Sequence, residues 1–310
     1  MRQAPIPTLQ DWACGQLGLK GCPFTPLAGD AGSRRYWRLG GGDDSAILVS
    51  YPQGEQAAMA AFTRIAKALA EAGVLVPEPL AATDNAMLLP DLGDRLLSGL
   101  APSERGPWYR KAVALLAKVQ GLTLELPQAG MAFVQRKRDL FQDWYLGRHL
   151  GVELAPGRLD GVFALLFDNF FAQPLVPAHR DYHGRNLHLV GQELAVIDFQ
   201  DMQLLPLAYD AVSLIRDSYV ALSLEEEEAL IAQAFAQQAK TGDQAQFRRW
   251  LDLTGVLRQL KVLGIFCRLH YQDGKSGYLQ DLVPTRDKLL RVARGYPELA
   301  PLVALLDANS

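Results

Sequence analysis

The fold of this chain is decided by residues 179–201, which read His-Arg-Asp-Tyr-His-Gly-Arg-Asn over 179–186 and, after an apolar stretch, Ile-Asp-Phe-Gln-Asp over 197–201. Asp181 is followed five positions later by Asn186, and a second acid, Asp198, follows the apolar stretch. In such a set one carboxylate accepts the proton of a substrate hydroxyl, while the amide and the second carboxylate hold Mg²⁺ against nucleotide phosphates. The spacing predicts a phosphoryl-transfer site with Asp181 as general base and Asn186 and Asp198 as metal ligands. The alternative is a turn-rich loop with chance polar residues.

The bulk composition is that of a globular protein: 310 residues, 49% hydrophobic and 21% charged, with a net charge of −3. A near-neutral chain offers no basic surface, so we expect no nucleic-acid partner. No stretch approaches the ~20 apolar residues of a membrane span, so we expect no membrane partner. Cys14, Cys22 and Cys267 are scattered without metal-ligand spacing. They indicate a reducing compartment, and we expect a cytoplasmic protein.

Strand patterns dominate the first part of the chain and helical patterns the rest. Strands are expected at 24–27, 36–39, 46–51, 80–82 and 86–89, with helices at 9–20 and 55–72. Downstream, the pattern predicts helices near 107–120, 136–149, 157–172, 206–220, 225–239, 243–271 and 285–294, with one hairpin at 187–190 and 194–197. This order predicts an α+β fold with a small antiparallel-sheet lobe at 1–90, a mostly helical lobe at 91–310 and a ligand cleft between them.

The nucleotide phosphates are expected to meet the loop 29–33 and the strand after it. The strand at 47–51 contains no Lys, and no Lys occurs between Lys20 and Lys67. The predicted phosphate ligands are therefore Ser33, in a loop whose N–H groups face the triphosphate, together with Arg34 and Arg38. The alternative is that these arginines are solvated strand-edge residues. Glu55, at the start of the first long helix, either pairs with one of them or complements the helix dipole.

The adenine base is expected at the segment 88–93, where backbone groups pair with the purine edge. Leu89 and Asp91 lie in this segment. A plain linker is the alternative interpretation.

The acceptor site is expected to draw on residues around the motif and on an aromatic helix. Trp144 and Arg148 are four apart and share a helix face, whereas Phe141 and Tyr145 fit the core. Arg216 either reaches the substrate or forms a structural ion pair. Asp201 contacts metal or substrate, or caps the next segment. Asp210 is expected to cap a helix or brace the motif, His179 to be structural, and Glu225–Glu228 to be a solvated face. The remaining predicted substrate residues are His183 and Arg185.

These motifs resemble those of a known group of enzymes. The segment 179–186 and the following Asp-Phe pair are similar to the catalytic loop and metal motif of protein kinases. Together with Tyr209-Asp210, they make the chain resemble the aminoglycoside phosphotransferase and choline-kinase-like superfamily over roughly residues 25–270. Within it, the segments 30–38, 89–94, 141–145 and 196–201 are similar to bacterial anomeric kinases of cell-wall amino sugars.

The resemblance implies a protein-kinase-like bilobal fold and an ATP- and Mg²⁺-dependent activity. The implied reaction phosphorylates the anomeric hydroxyl of N-acetylmuramate or N-acetylglucosamine in peptidoglycan recycling, with Arg148 placed to meet a lactyl carboxylate. Two alternatives remain open at this point. One is a kinase for another small molecule, such as an aminoglycoside or choline. The other is a nucleotide-binding pseudokinase, which the missing strand Lys favours.

Overall fold

The computed structural model describes residues 6–19, 21–27, 34–41, 45–237 and 242–309. The chain divides into two compact units. The first is Met1–Leu96 with Leu187–Asp201, and the second is Leu97–Asn186 with Met202–Ser310. This division is not the single boundary at residue 90 expected from the sequence, because a late hairpin belongs to the first unit by its contacts.

The first unit is built on a five-stranded antiparallel sheet with the order β1-β2-β3-β5-β4. In the central pairs, Trp37 lies opposite Leu48, and Leu48 lies opposite Leu88. All three side chains are buried, because residues directly opposite each other on paired strands point to the same face of the sheet. The strands are β1 (Phe24–Leu27), β2 (Arg35–Leu39), β3 (Ala46–Ser50), β4 (Ala81–Ala82) and β5 (Ala86–Pro90).

Two helices and a hairpin complete this unit. Helix α1 spans Ile6–Gln16, and α2 spans Gln56–Glu71 and buries Met59, Phe62, Ile65, Ala66 and Leu69, the apolar stripe expected from the sequence. The hairpin of β7 (Leu187–Val190) and β8 (Glu193–Val196) joins the unit through its backbone. Leu189 N donates to Arg95 O at 2.8 Å, and Val196 N donates to Leu75 O at 2.8 Å.

The second unit is mostly helical and centres on α8 (Gln244–Tyr271), which is buried on every side between Leu251 and Phe266. A helix that is buried on all sides lies in the middle of a core, and the polar residues of this stretch, such as Asp252, are held by partners. Two short strands, β6 (Leu175–Ala178) and β9 (Gln203–Pro206), pair antiparallel. The other helices are α3 (Pro102–Gln120), α4 (Met131–Leu140), α5 (Asp160–Phe171), α6 (Tyr209–Ile215), α7 (Leu224–Gln237), α9 (Leu282–Ala293) and α10 (Ala300–Asp307).

The close packing of α8 against the end of α4 depends on Gly264. A Cβ at this position would overlap the carbonyl group of Leu140 and lie 2.8 Å from Phe141 N. At Phe141 the helix α4 changes into a π-helical segment, Phe141–His149. The single helix expected at 136–149 is therefore two segments of different pitch.

Several other expectations are corrected by the structure. The helix expected at 206–220 is only α6, because Pro206 ends β9 and the helix stops at Ile215. The pair β6–β9 and the helix α10 were not expected. Cys14 and Cys22 form a disulfide with a Cα–Cα distance of 6.1 Å, so the cysteines do not support a reducing compartment. Within the described residues, no helix is both long and apolar enough to cross a membrane.

The acidic run at 225–228 was expected to be a solvated face, and this expectation is wrong for Glu226 and Glu227. Glu226 accepts two hydrogen bonds from Arg105, at 2.9 and 2.6 Å. Glu227 is 2% exposed and pairs with Arg291 at 2.6 Å. Only the outer two carboxylates of the run are exposed. The run therefore ties α7 to its neighbours.

Candidate active site

Two buried acids hold the backbone of the loop that carries Asp181. Asp210, 1% exposed at the start of α6, accepts hydrogen bonds from His179 N at 2.5 Å and Arg180 N at 3.1 Å. Asp217 accepts a hydrogen bond from Gly184 N at 3.0 Å. The loop is thus braced on both sides of its central residue. The bracing role expected for Asp210 is confirmed, while the equivalent role of Asp217 was not predicted.

Glycine at position 184 is required by packing. A Cβ there would lie 2.9 Å from the backbone nitrogen of Ser98. On the other side of the loop, the Tyr182 hydroxyl donates to Ala112 O at 2.8 Å. Both contacts fix the loop against the helical core, so the backbone that carries its side chains has a defined position.

The carboxylate of Asp181 is accessible, with 38% of its side chain exposed, and it lies beside a lysine. Lys261 Nζ on α8 is 3.4 Å from Asp181 Oδ1. Burial opposes ionisation of this group, but the charges of Lys261 and Arg258 outweigh burial and hold the pKa of Asp181 well below its ordinary 3.8. Asp181 is therefore a carboxylate at neutral pH, as a proton acceptor must be.

A small cavity adjoins Asp181. Its volume is about 70 Å³. The basic side chains around it are Arg136, Lys137, Arg180 and Lys261, against the single carboxylate of Asp181. The apolar and aromatic lining residues are Phe133, Leu140 and Tyr209.

Lys137 and Lys261 were missed by sequence reasoning. Lys137 follows Val134 and precedes Phe141 at helical spacing, so a charge interrupts a stripe that is otherwise buried. Lys261 likewise stands among apolar residues of α8. A lysine on a buried stripe is the signal that could have found both.

The amide of Asn186 is fixed by its own loop. Its Nδ2 donates to Asp181 O at 2.9 Å, which leaves the amide oxygen as the acceptor atom. In the other unit, Asp198 follows β8 with φ = 62°, a left-handed conformation that Asp tolerates better than most residues. Gln200 Nε2 donates to Asp198 Oδ1 at 2.8 Å. Among the described residues, no cluster of three His, Cys, Asp or Glu side chains suits a metal ion.

The predicted phosphate ligands differ in what they already bind. Ser33 and the rest of the loop 29–33 lie outside the described residues. Arg34 Nε is 3.3 Å from Glu55 Oε2, and its guanidinium lies 5.0 Å from the ring centre of Tyr51. The pairing of Glu55 with an arginine, one of two interpretations of the sequence, is therefore found.

Arg38 is engaged by two carboxylates of the segment after β5. Its guanidinium donates to Asp91 at 2.6 and 3.1 Å and to Asp94 at 3.0 and 2.8 Å. Hydrogen bonds to Arg38 and to Gly93 N lower the pKa of Asp91 against the opposing effect of burial. Leu89 is 7% exposed in β5. Arg38 is thus not a solvated edge residue, and its charge is already matched by two acids.

The predicted acceptor residues do not form one group. Trp144 packs on the core, and the exposed Arg148 stacks on Tyr271 at 5.2 Å, so neither lines the cavity beside Asp181. Arg185 lies 3.5 Å from the ring centre of Tyr219, and the His183 ring packs edge-on against the same Tyr219. Asp201 is exposed. As expected, Phe141 and Tyr145 are core residues.

Arg216 is corrected from a substrate residue to a structural one. It is 1% exposed, and its guanidinium bonds to Asp252 at 2.5 Å and to Glu227 at 3.5 Å. An arginine that is buried and paired with two acids is closed off from a ligand in solvent. This is the structural ion pair that the sequence left open.

Comparison with known proteins assigns the chain to a class. The model of the phosphotransferase enzyme family matches residues 23–250. An N-acetylmuramate/N-acetylglucosamine kinase of Pseudomonas aeruginosa is 37% identical over 295 residues, covering 91% of this chain and 87% of that protein. A protein of the same name from Neisseria meningitidis is 32% identical over 315 residues, covering 96% of this chain and 94% of that protein.

Solved structures agree on the fold. A choline/ethanolamine kinase family protein from Mesorhizobium loti superposes with a TM-score of 0.63 at 18% identity, covering 96% of this chain and 98% of that chain. The wild-type aminoglycoside 2'-phosphotransferase-IIIa, in its GDP complex, superposes with a TM-score of 0.62 at 14% identity, covering 92% of this chain and 99% of that chain. These neighbours confirm the protein-kinase-like α+β fold class.

The chain belongs to the phosphotransferase enzyme family. It is an ATP-dependent small-molecule kinase, and enzymes of this kind work with a divalent metal ion.

Proposed function

We propose that the protein phosphorylates the anomeric hydroxyl of a cell-wall amino sugar, N-acetylmuramate or N-acetylglucosamine, and so serves peptidoglycan recycling. The observation that carries this proposal is the 37% identity, over 91% of the chain, to an enzyme named for these two sugars. A hemiacetal hydroxyl is more acidic than an ordinary alcohol, so one carboxylate base suffices. We place the reaction in the cytoplasm, where ATP is available, and assign it no nucleic-acid or membrane partner.

Asp181 supplies the base. The acceptor hydroxyl gives its proton to the Asp181 carboxylate, and the acceptor oxygen forms a bond to the terminal phosphorus of ATP. The bond between that phosphorus and the bridging oxygen of the β-phosphate breaks, and ADP leaves. The bracing by Asp210 and Asp217 supports this role, since a base must be held within hydrogen-bond reach of the hydroxyl. Lys261 keeps the side chain ionised.

We assign Mg²⁺ to Asn186 and Asp198. The donor set fits this ion, because the amide oxygen of Asn186 is left as an acceptor and Asp198 offers carboxylate oxygens. Mg²⁺ commonly takes one or two protein oxygens and completes its shell with phosphates and water. When bound, the ion neutralises charge on the transferring phosphoryl group.

Arg34, rather than Arg38, is our candidate for the missing strand lysine. In protein kinases that lysine pairs with a glutamate of the following helix and contacts the nucleotide phosphates. Arg34 pairs with Glu55, directly before α2, whereas Arg38 is bound by Asp91 and Asp94. We keep Ser33 as a phosphate ligand, and Leu89 and Asp91 as part of the adenine site. His183, Arg185 and Asp201 remain proposed substrate contacts.

The test is ADP release measured with a panel of acceptors. We expect turnover with N-acetylglucosamine or N-acetylmuramate that requires Mg²⁺, and none with aminoglycosides or choline. Asp181→Asn should reduce kcat by at least about 10²-fold with ATP binding retained, as removal of a general base does. Full activity of that variant would show that the base assignment is wrong.

The pseudokinase alternative makes a different prediction. ATP with Mg²⁺ would raise the melting temperature, yet no acceptor would release ADP. The pairing of Arg34 with Glu55 weakens this alternative, because it resembles the lysine–glutamate pair of active protein kinases.

A further inference from the structure

Lys137 on α4 carries a buried amino group without a carboxylate partner among the described residues. It is 4% exposed. Its ammonium donates to the Tyr209 hydroxyl at 3.1 Å and lies 3.7 Å from the ring centre of Phe133. Neither neighbour carries a negative charge, and burial lowers the pKa of Lys137 well below its ordinary 10.5. A buried ammonium is costly unless something pairs with it.

The surroundings of Lys137 make that cost larger. Lys261 and Arg180 line the same cavity, and the charges of Lys261, Arg258 and Arg180 disfavour a charged Lys137, while the charge of Asp181 favours it. Among the described residues that line the cavity, Asp181 is the one carboxylate, and it is already paired with Lys261. The cavity therefore has an excess of positive charge that an incoming anion would offset.

The size of the cavity indicates what that anion is. A volume of about 70 Å³ is far below the ~300 Å³ or more of a pocket that encloses a whole ligand. It accommodates one small group attached to a larger molecule. Since Asp181 is at its wall, that larger molecule is the acceptor.

We propose that this cavity binds the carboxylate arm of a sugar-acid acceptor, with Lys137 and Lys261 as its ligands, so that the enzyme prefers N-acetylmuramate to N-acetylglucosamine. This rests on the amino-sugar kinase activity proposed above. It also moves the carboxylate contact from Arg148, which stacks on Tyr271, to the two lysines beside the base. An ammonium bound by a carboxylate regains the charge that burial disfavours.

The experiment compares kcat/KM for the two sugars in the wild type, in Lys137→Met and in Lys67→Met. Methionine keeps the length and apolar body of lysine without the charge. In Lys137→Met, the kcat/KM for N-acetylmuramate divided by that for N-acetylglucosamine should fall about tenfold or more, because a hydrogen bond to a charged group is lost. Most of this change should be a higher KM for N-acetylmuramate. Lys67, on α2 with 74% of its side chain exposed, is the matched control and should leave the ratio unchanged.

A second arm needs no variant, and so remains decisive if Lys137→Met fails to fold. Wild-type enzyme is given N-acetylmuramate and its uncharged methyl ester. The acid should have the lower KM, by about tenfold. Equal KM values for acid and ester, or an unchanged ratio in a folded Lys137→Met, overturn the carboxylate site alone. No ADP release with either sugar overturns the proposed function itself.

Discussion

Replacement of Gly264 by alanine should destabilise the second unit through a single methyl group. The new Cβ would overlap the carbonyl of Leu140 and lie 2.8 Å from Phe141 N, whereas ordinary contacts lie at 3.4–4 Å. The atoms in the way are backbone, so α8 must move away from the junction of α4 and the π-helical segment by several tenths of an ångström at least. No side-chain rotation relieves this overlap.

The expected cost follows from two opposing effects. Overpacking in a core costs about 1–3 kcal/mol, and overlap with three backbone atoms places this site near the upper end. Alanine regains up to about 1 kcal/mol over glycine in a helix. The net loss of about 2 kcal/mol should lower the melting temperature by about 4–8 °C. Activity should fall too, because Leu140 lines the cavity beside Asp181.

The assay is thermal unfolding followed by circular dichroism, with Gly161→Ala as control. Gly161 lies in α5 and has no atom within 4 Å of an added Cβ. Its replacement should leave stability unchanged or raise it by up to about 1 kcal/mol. If Gly264→Ala melts at or above the wild-type temperature, the inferred close approach of α8 to α4 is wrong.

Four further predictions concern single groups. Arg216→Met should cost about 1–3 kcal/mol in urea unfolding, because it removes one of the cationic partners of the buried Glu227 and Asp252, which keep Arg291 and Arg248; an unchanged stability would contradict the buried network. Asp210→Asn should lower kcat more than it raises the KM for ATP, since it weakens the bonds to His179 N and Arg180 N; an unchanged kcat would remove the bracing role. Reduction of Cys14–Cys22, which are eight residues apart, should cost about 2 kcal/mol, and Cys14→Ser should abolish the effect of reductant. Burial lowers the pKa of His183 to about 4 from 6.5, so the folded state binds fewer protons between these values. Stability is therefore kept above pH 6.5 and falls as the pH drops towards 4. His183→Gln should flatten this loss relative to the wild type, while Asp210, whose pKa burial raises to about 6, acts in the opposite direction in both proteins and cancels from the comparison. If stability falls equally steeply between pH 6.5 and 4 in the wild type and in His183→Gln, His183 is not the group responsible.

The elements that the sequence predicted are those whose signals are local. Each of these signals is contained in a short stretch of sequence: the apolar stripe of α2, the strands of the first sheet, and the spacing of Asp181 and Asn186. Asp210 was expected to cap a helix or to brace the loop, because it precedes an apolar stretch, and its hydrogen bonds to the loop show the second role.

The elements that were missed depend on contacts between distant segments. Lys137 and Lys261 line one cavity only because α4 packs on α8. Strands β6 and β9 are four residues each and contain prolines, so only their pairing defines them. The π-helical segment at Phe141 begins where Gly264 lets α8 approach closely, and composition carries no sign of it. The disulfide likewise depends on where α1 places Cys14.

The membership of hairpin β7–β8 in the first unit has a consequence during synthesis. Leu75 O and Arg95 O receive their partners, Val196 N and Leu189 N, only after about a hundred further residues have been made. At a synthesis rate of about 5–20 residues per second, these backbone acceptors of the first unit lack their partners for on the order of 5–20 s. A fragment that ends at Leu96 should therefore fold poorly, because the hairpin that completes the unit is synthesised only after the loop that carries Asp181.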